Sequence, residues 1–289
     1  MRVKGRAALA ALLVTLAGCS PAGLLTQFDR LTSPDDVRRV AKGVPYAAGV
    51  RQKLDVWAPA NESGGVLPVV VFFYGGGWND GSREDYGFAG AAFASRQFIA
   101  VVPDYRLVPE VRFPAFVEDG ALVVKWARDN AARYGGDPKR ITVAGHSAGA
   151  YIGAMLVLDK RFLENAGVDP RTVRAAALLS GPYDFYPFTE ARGRAAFGSF
   201  ERPGDTQPIN FARSDAPPIL LAHGGEDEIV LPRNSRRLAE RLKQAGAPVA
   251  LRIYQGAGHV DTVTALSHPF RHRLPVLDES AAFLMRHSR

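Results

Sequence analysis

The chain has 289 residues, 47% of them hydrophobic and 22% charged, a balance that excludes a disordered or fibrous protein. At this length a core can form without disulfide staples, and a single cysteine excludes an internal disulfide. The formal charge of +7 falls to +4 without Arg2, Lys4 and Arg6, and the remaining basic residues do not concentrate as a nucleic-acid surface requires, so no nucleic-acid partner is expected.

Residues 1–6 carry those three positive charges, and residues 7–16 form an apolar run. About ten apolar residues are too few to cross a bilayer as a helix. The layout is that of a secretory signal. Its end, Leu16-Ala17-Gly18-Cys19, resembles the lipobox of bacterial lipoproteins, and Cys19 is the one cysteine of the chain. The resemblance implies a signal peptide over residues 1–18, lipidation of Cys19 and a mature chain anchored to a membrane, facing the periplasm or the cell surface. Ser20 after the cysteine is compatible with the outer membrane. Residues 19–50 read as a tether and N-terminal flank. Within them Ser33-Pro34-Asp35-Asp36 predicts a helix start, with Ser33 as cap and Pro34 at the first helical position.

From residue 51 a regular alternation begins. Residues 53–57 predict a strand. The unbroken apolar run 66–74 predicts a strand buried on both faces, and 98–102 a second one. Residues 116–134 have helical periodicity and stop at Gly135-Gly136. A strand at 141–144 and a helix at 148–158 follow, then strands at 175–179 and 219–222. A helix at 234–245, a strand at 249–254 and a final helix at 277–289 complete the pattern. Alternating strands and helices predict an α/β fold over residues 51–289, with a mainly parallel sheet and helices on both faces. Residues 181–216, with four prolines and several aromatics, interrupt the rhythm and predict a small lid-like insert.

Gly145-His146-Ser147-Ala148-Gly149 matches G-x-S-x-G between a predicted strand and a predicted helix. That context turns the chain sharply and lifts the serine hydroxyl above the sheet. Ser147 is the candidate nucleophile, and His146 beside it is read as structural. A serine needs a base, and the base needs an orienting acid. Asp227 follows the strand at 219–222, with Glu226 and Glu228 as neighbours that could take its place. The bases available downstream are His259, His268, His272 and His287; His259 lies one short loop beyond the strand at 249–254, where functional loops of such a sheet gather. Tyr74-Gly75-Gly76-Gly77-Trp78 follows the buried run 66–73, and the N–H groups of Gly76, Gly77 and Ala148 are candidate oxyanion donors.

These motifs together resemble the α/β-hydrolase superfamily, in its esterase branch with an H-G-G-G-W oxyanion motif. Asp104-Tyr105-Arg106-Leu107-Val108-Pro109-Glu110 is similar to D-Y-R-L-x-P-E, and Phe113-Pro114 with Glu118-Asp119 to F-P-x-x-x-E-D. The stretch from Tyr134 to Ile141 is similar to Y-G-G-D-P-x-R-I, and His223-Gly224 with Asp227 to H-G-x-x-D, which places the acid on Asp227. Two positions depart from the pattern. Tyr74 stands where the oxyanion motif has histidine, and the elbow reads G-H-S-A-G-A, closer to kynurenine formamidases, isoprenylcysteine methylesterases and feruloyl-esterase-like proteins.

The resemblance implies a carboxylic ester hydrolase acting on small or short-chain esters through Ser147, His259 and Asp227, with no metal and no organic cofactor. An arylformamidase or amidase would use the same triad, and a catalytically inactive binding lipoprotein is the reading from another class. Trp78, Tyr183, Phe185, Tyr186 and Phe188 are candidate pocket walls or simple packing. Neither the natural substrate nor the oligomeric state is legible.

Overall fold

A computed structural model describes residues 20–61 and 65–289. The expected signal peptide and Cys19 lie outside the described residues. Among those described, eight strands form one sheet: β1 (Val37–Pro45), β2 (Lys53–Pro59), β3 (Leu67–Phe73), β4 (Ile99–Pro103), β5 (Gly136–His146), β6 (Val173–Leu179), β7 (Ile219–Gly224) and β8 (Val249–Tyr254). Their spatial order is β1-β2-β4-β3-β5-β6-β7-β8. The β1–β2 and β2–β4 pairs are antiparallel, and every pair from β4 to β8 is parallel.

The parallel core follows from its residues. In β3, Val69, Val70, Val71, Phe72 and Phe73 are fully buried, as a strand covered on both faces requires. Each such side chain contributes about 1.5–3 kcal/mol of transfer free energy. The covering helices are α2 (Gly87–Ala94), α3 (Ala115–Asn130), α4 (Ala148–Leu158), α5 (Lys160–Asn165), α7 (Arg233–Gln244) and α9 (Val276–His287), with the single turn α8 (Asp261–Thr264) between the last two. Helices α3, α4 and α5 pack on one another, and α2 packs with α9. The fold class expected from the alternation is the one observed.

The N-terminal flank differs from expectation. A helix does form there, but it is α1 (Pro21–Thr32), capped by Ser20, whose Oγ accepts from Gly23 N at 3.0 Å. Ser33 closes this helix at its C-terminus instead of opening another. The Ser-Pro signature occurs twice, and only the first copy is used. The residues after Pro34 are instead drawn into the ladder of β1 with β2, beginning at Val37 opposite Pro59. Residues 37–45 are therefore sheet, not tether. Their polar, edge-strand composition, with Arg38, Arg39 and Lys42, carries little strand signal. Helix α2 also gave no signal, because all eight of its residues are buried and apolar around the whole circumference, which leaves no period to read.

The insert contains α6 (Ala191–Phe197) and several single turns. It is anchored rather than free. Phe197 is fully buried and meets Trp78 and Phe113 at 4.8 and 5.6 Å between ring centroids. Gln207 Oε1 accepts from Phe185 N and Tyr186 N, and Asn234 Oδ1 from Tyr183 N and Asp184 N.

Candidate active site

The elbow forms where β5 ends at His146 and α4 begins at Ala148. Ser147 between them has φ +54°, a conformation that L-residues avoid. Ser147 N donates to Leu179 O at 2.9 Å, which ties the turn to β6. The flanking glycine at 149 is a steric necessity: a Cβ there would lie 2.0 Å from Phe73 O. The G-x-S-x-G spacing is thus imposed by the passage of α4 across the end of β3.

Three residues from distant parts of the chain meet at this turn. His259 Nε2 lies 2.9 Å from Ser147 Oγ, and His259 Nδ1 lies 2.7 Å from Asp227 Oδ2. An ionised carboxylate can only accept, so Nδ1 carries the proton and Nε2 presents its lone pair to the serine hydroxyl. Asp227 is held on both oxygens. Oδ1 accepts from Ile229 N and Val230 N at 3.0 and 2.8 Å, and Oδ2 also faces His223 Nε2 at 3.1 Å. Burial would raise the Asp227 pKa, but the hydrogen bonds from His223, His259 and Val230 N–H outweigh it and hold the carboxyl well below the usual range. Glu226 and Glu228 point into solvent. His268 and His287 lie elsewhere: His268 N bonds Asp29, and the His287 ring lies tilted against Phe283.

Sequence reasoning did not find His223 as a support. Its Nε2 faces Val230 O at 2.7 Å, which fixes the proton on that nitrogen and lets it donate toward Asp227 as well. Its Nδ1 then accepts from Ser235 Oγ at 2.7 Å. The H-G-x-x-D spacing is the legible trace of this contact.

His146 is structural, as expected, but it faces the site. Its ring centroid is 4.8 Å from that of His259, and its Nε2 donates to the His259 carbonyl at 3.0 Å. Nδ1 is buried without a partner. Burial, with the nearby His259, lowers its pKa to about 3, so the ring is neutral. The unfolded chain therefore binds one more proton at this position below the ordinary histidine pKa. Stability is full above pH 6.5 and falls as the pH drops toward 3, with a slope on the order of 1 kcal/mol per pH unit. Replacing His146 with Gln should flatten the acid limb of a denaturation-versus-pH series in that window. An unchanged limb would show that His146 is not held neutral.

The glycine loop sits against the elbow. A Cβ on Gly75 would lie 3.2 Å from the Ser147 Cβ. Gly76 has φ +121°, and a Cβ there would lie 2.2 Å from Asp80 O, so no other residue fits. Among the described residues, the backbone N–H groups of Gly76, Gly77 and Ala148 have no acceptor.

Tyr74 does not point at the site. It is fully buried, stacked on Tyr105 at 4.6 Å, with its hydroxyl 2.8 Å from Arg51 and 3.2 Å from Asp104. Burial and the Asp104 carboxylate raise its pKa, so the phenol stays neutral. Arg83 joins Asp104 to Asp55, and Tyr105 donates to Tyr74 O at 2.9 Å. Arg106 grips Asp119, which also accepts from Gln52. Asp104, Tyr105 and Arg106 of the D-Y-R motif and Asp119 of the E-D motif thus form the scaffold beneath the glycine loop, whereas Glu118 is exposed. Arg51 and Arg83, which complete it, carried no signal in the sequence.

The aromatic residues sort by burial. Trp78 stacks between Phe116 and Phe185, at 6.1 Å from each, and meets Tyr151 edge-on at 5.4 Å. Tyr183 is fully buried, whereas Tyr186 is exposed.

Comparison with known proteins places this geometry. The family model BD-FAE matches residues 54–242. The chain is 29% identical over 245 residues to the isoprenylcysteine alpha-carbonyl methylesterase of Arabidopsis thaliana, covering 78% of this chain and 57% of that one. It is 32% identical over 226 residues to esterase LipQ of Mycobacterium tuberculosis, covering 71% and 53%. The chain thus spans somewhat more than half the length of these curated relatives. Among solved structures, a thermophilic esterase from Thermogutta terrifontis with propionate bound is 25% identical, with TM-score 0.69 and 88% and 94% coverage. A truncated carbohydrate esterase from gut microbiota superposes with TM-score 0.77 at 21% identity, covering 89% and 98%, a likeness of fold. The sheet and its helices are the α/β-hydrolase fold, and the chain belongs to the BD-FAE family.

Proposed function

We propose that the protein is a serine hydrolase that cleaves small, short-chain carboxylic esters. The observation that carries this reading is the unbroken chain of hydrogen bonds from Ser147 through His259 to Asp227. Ser147 Oγ attacks the ester carbonyl as His259 Nε2 takes its proton. Asp227 holds the ring in this tautomer and stabilises its charged form. The N–H groups of Gly76, Gly77 and Ala148 receive the oxyanion, each contributing about 3 kcal/mol. The proton then passes from His259 to the leaving alcohol. Water, activated by the same nitrogen, releases the acid from the acyl-enzyme.

Three further observations support the reading. The relatives include proteins named as esterases. The Thermogutta neighbour has propionate bound. Trp78, next to Gly77, is enclosed by Phe116, Phe185 and Phe197, and a rigid aromatic wall at that place suits a short acyl group. An inactive binding protein has no need of a base aligned on both nitrogens. The proposal extends to location: export, lipidation at Cys19 and a membrane-anchored enzyme facing the periplasm or the cell surface, supported by the lipobox-like sequence.

The chain from residue 20 on should release nitrophenol from p-nitrophenyl acetate or butyrate and take up a fluorophosphonate probe at Ser147. Absence of both turnover and labelling would sink the enzyme reading. Faster cleavage of N-formylkynurenine than of either ester would move the activity to formamide hydrolysis.

A further inference from the structure

Helix α1 carries large apolar residues on both sides. Its inward face sets Leu25 against the core, beside Thr26 and the buried Asp29. Thr26 Oγ1 donates to Asp85 O and accepts from Phe88 N, which binds the helix to the start of α2. Asp29 accepts from His268 N, and Ser33 N caps Asp29 O. The outward face carries Leu24, Phe28 and Leu31, exposed by 36%, 52% and 84%. Their spacing of four and then three residues places all three on one stripe of the helix. A helix on a water-facing surface normally turns polar residues outward, and three large apolar side chains aligned on its crest mark an interaction surface.

The position of the helix in the chain identifies the occupant. Ser20, its N-cap, directly follows Cys19, and Leu24 is five residues from that cysteine. Even a fully extended chain of five residues reaches only about 17 Å, so an acylated Cys19 keeps the stripe beside the bilayer. Helix α1 has 12 residues, about 18 Å at 1.5 Å per residue, too short to cross a bilayer, so its contact is along the surface. We propose that α1 lies in the lipid interface, with Leu24, Phe28 and Leu31 turned into the acyl region. The inference deepens the proposed lipid anchoring at Cys19 and rests on it. Because Thr26 and Asp29 fasten α1 to the body of the enzyme, the lipid contact holds the whole domain in one orientation instead of leaving it on a loose tether.

The test uses the chain from Cys19 onward, which includes every element of the described fold. Cys19 is the one cysteine, so its thiol can be coupled to a maleimide phospholipid in phosphatidylcholine vesicles, which supplies the anchor without cellular lipidation. With Phe28→Trp as reporter, brominated phosphatidylcholine should quench at least twice the fraction of fluorescence lost by the parent chain. Adding Leu24→Ser and Leu31→Ser should remove that excess. No excess in the first variant overturns the proposal. So does an excess that survives the two serines, since nearness of the tether would then explain it. A free chain that sediments as a dimer, and becomes monomeric in Phe28→Ser/Leu31→Ser, would assign the stripe to a second copy and overturn it as well. Lipidation itself is read separately, by palmitate labelling of the intact chain in a bacterium with Cys19→Ser as control. Failure there sinks the anchor, whereas failure of quenching with the thiol already coupled sinks the docking of α1.

Discussion

Ser147→Ala should lower kcat for nitrophenyl acetate by about 10⁵–10⁶-fold, since the nucleophile and its base act as one unit. The fold should persist. Ser147 Oγ bonds only His259 Nε2 among the described residues, and the elbow is held by backbone: Ser147 N on Leu179 O and Tyr151 N on Ser147 O. Alanine keeps both of those bonds at the same positive φ. A melting temperature within a few degrees of the parent, with turnover gone, is the expected pair of results. Ester hydrolysis within tenfold of the parent would remove Ser147 from the mechanism.

Asp227→Asn should cost on the order of 10⁴-fold in kcat, through the wrong tautomer rather than a lost contact. The site offers the Asp227 side chain four donors: Ile229 N, Val230 N, His259 Nδ1 and His223 Nε2. An amide has one oxygen. If that oxygen stays on the two backbone N–H groups, its NH₂ faces His259 Nδ1 and forces the ring proton onto Nε2, where it blocks removal of the serine proton. If it turns the other way, two buried N–H groups lose their acceptor, at about 1–3 kcal/mol each. Stability should therefore fall with activity, and fluorophosphonate labelling should slow in parallel. Turnover near the parental rate would show that Asp227 does not set the ring.

Several parts of this architecture were legible because they depend on local pattern. The run of valines and phenylalanines in β3 reads as a doubly covered strand in any context. The bounds of α4 and β8 match the expected ones residue for residue, because a serine elbow fixes the first and Gly246 with Tyr254 brackets the second. The placement of Ser147, of His259 and of a carboxylate among residues 226–228 was readable from order and from position after strands, whereas the choice of Asp227 among them came from the resemblance to H-G-x-x-D. Other elements were not readable. Helix α1 precedes the second Ser-Pro signature, where the helix start was expected, and α5 is too short to show a period. Helix α2 is buried all round and has no polar face to set a period, and β1 is an edge strand whose pairing is supplied entirely by β2.

The serine elbow with its flanking glycines, and the loops that carry the candidate acid and base, are set by the sequence alone, because sharp turns and short strand-to-loop spacings are local steric matters. Tertiary structure decided what surrounds them. It put His223 behind Asp227 and His146 against the His259 carbonyl. It placed Tyr74 in a buried network with Arg51, Arg83 and Asp104, not in the oxyanion site. It also turned Leu24, Phe28 and Leu31 of α1 outward. Apart from His223, which lies four residues from Asp227, each of these contacts joins residues far apart in the chain or depends on which helix face finds a partner. No period in the sequence records that choice, and it is made when buried polar groups must find partners and the helices must share one core.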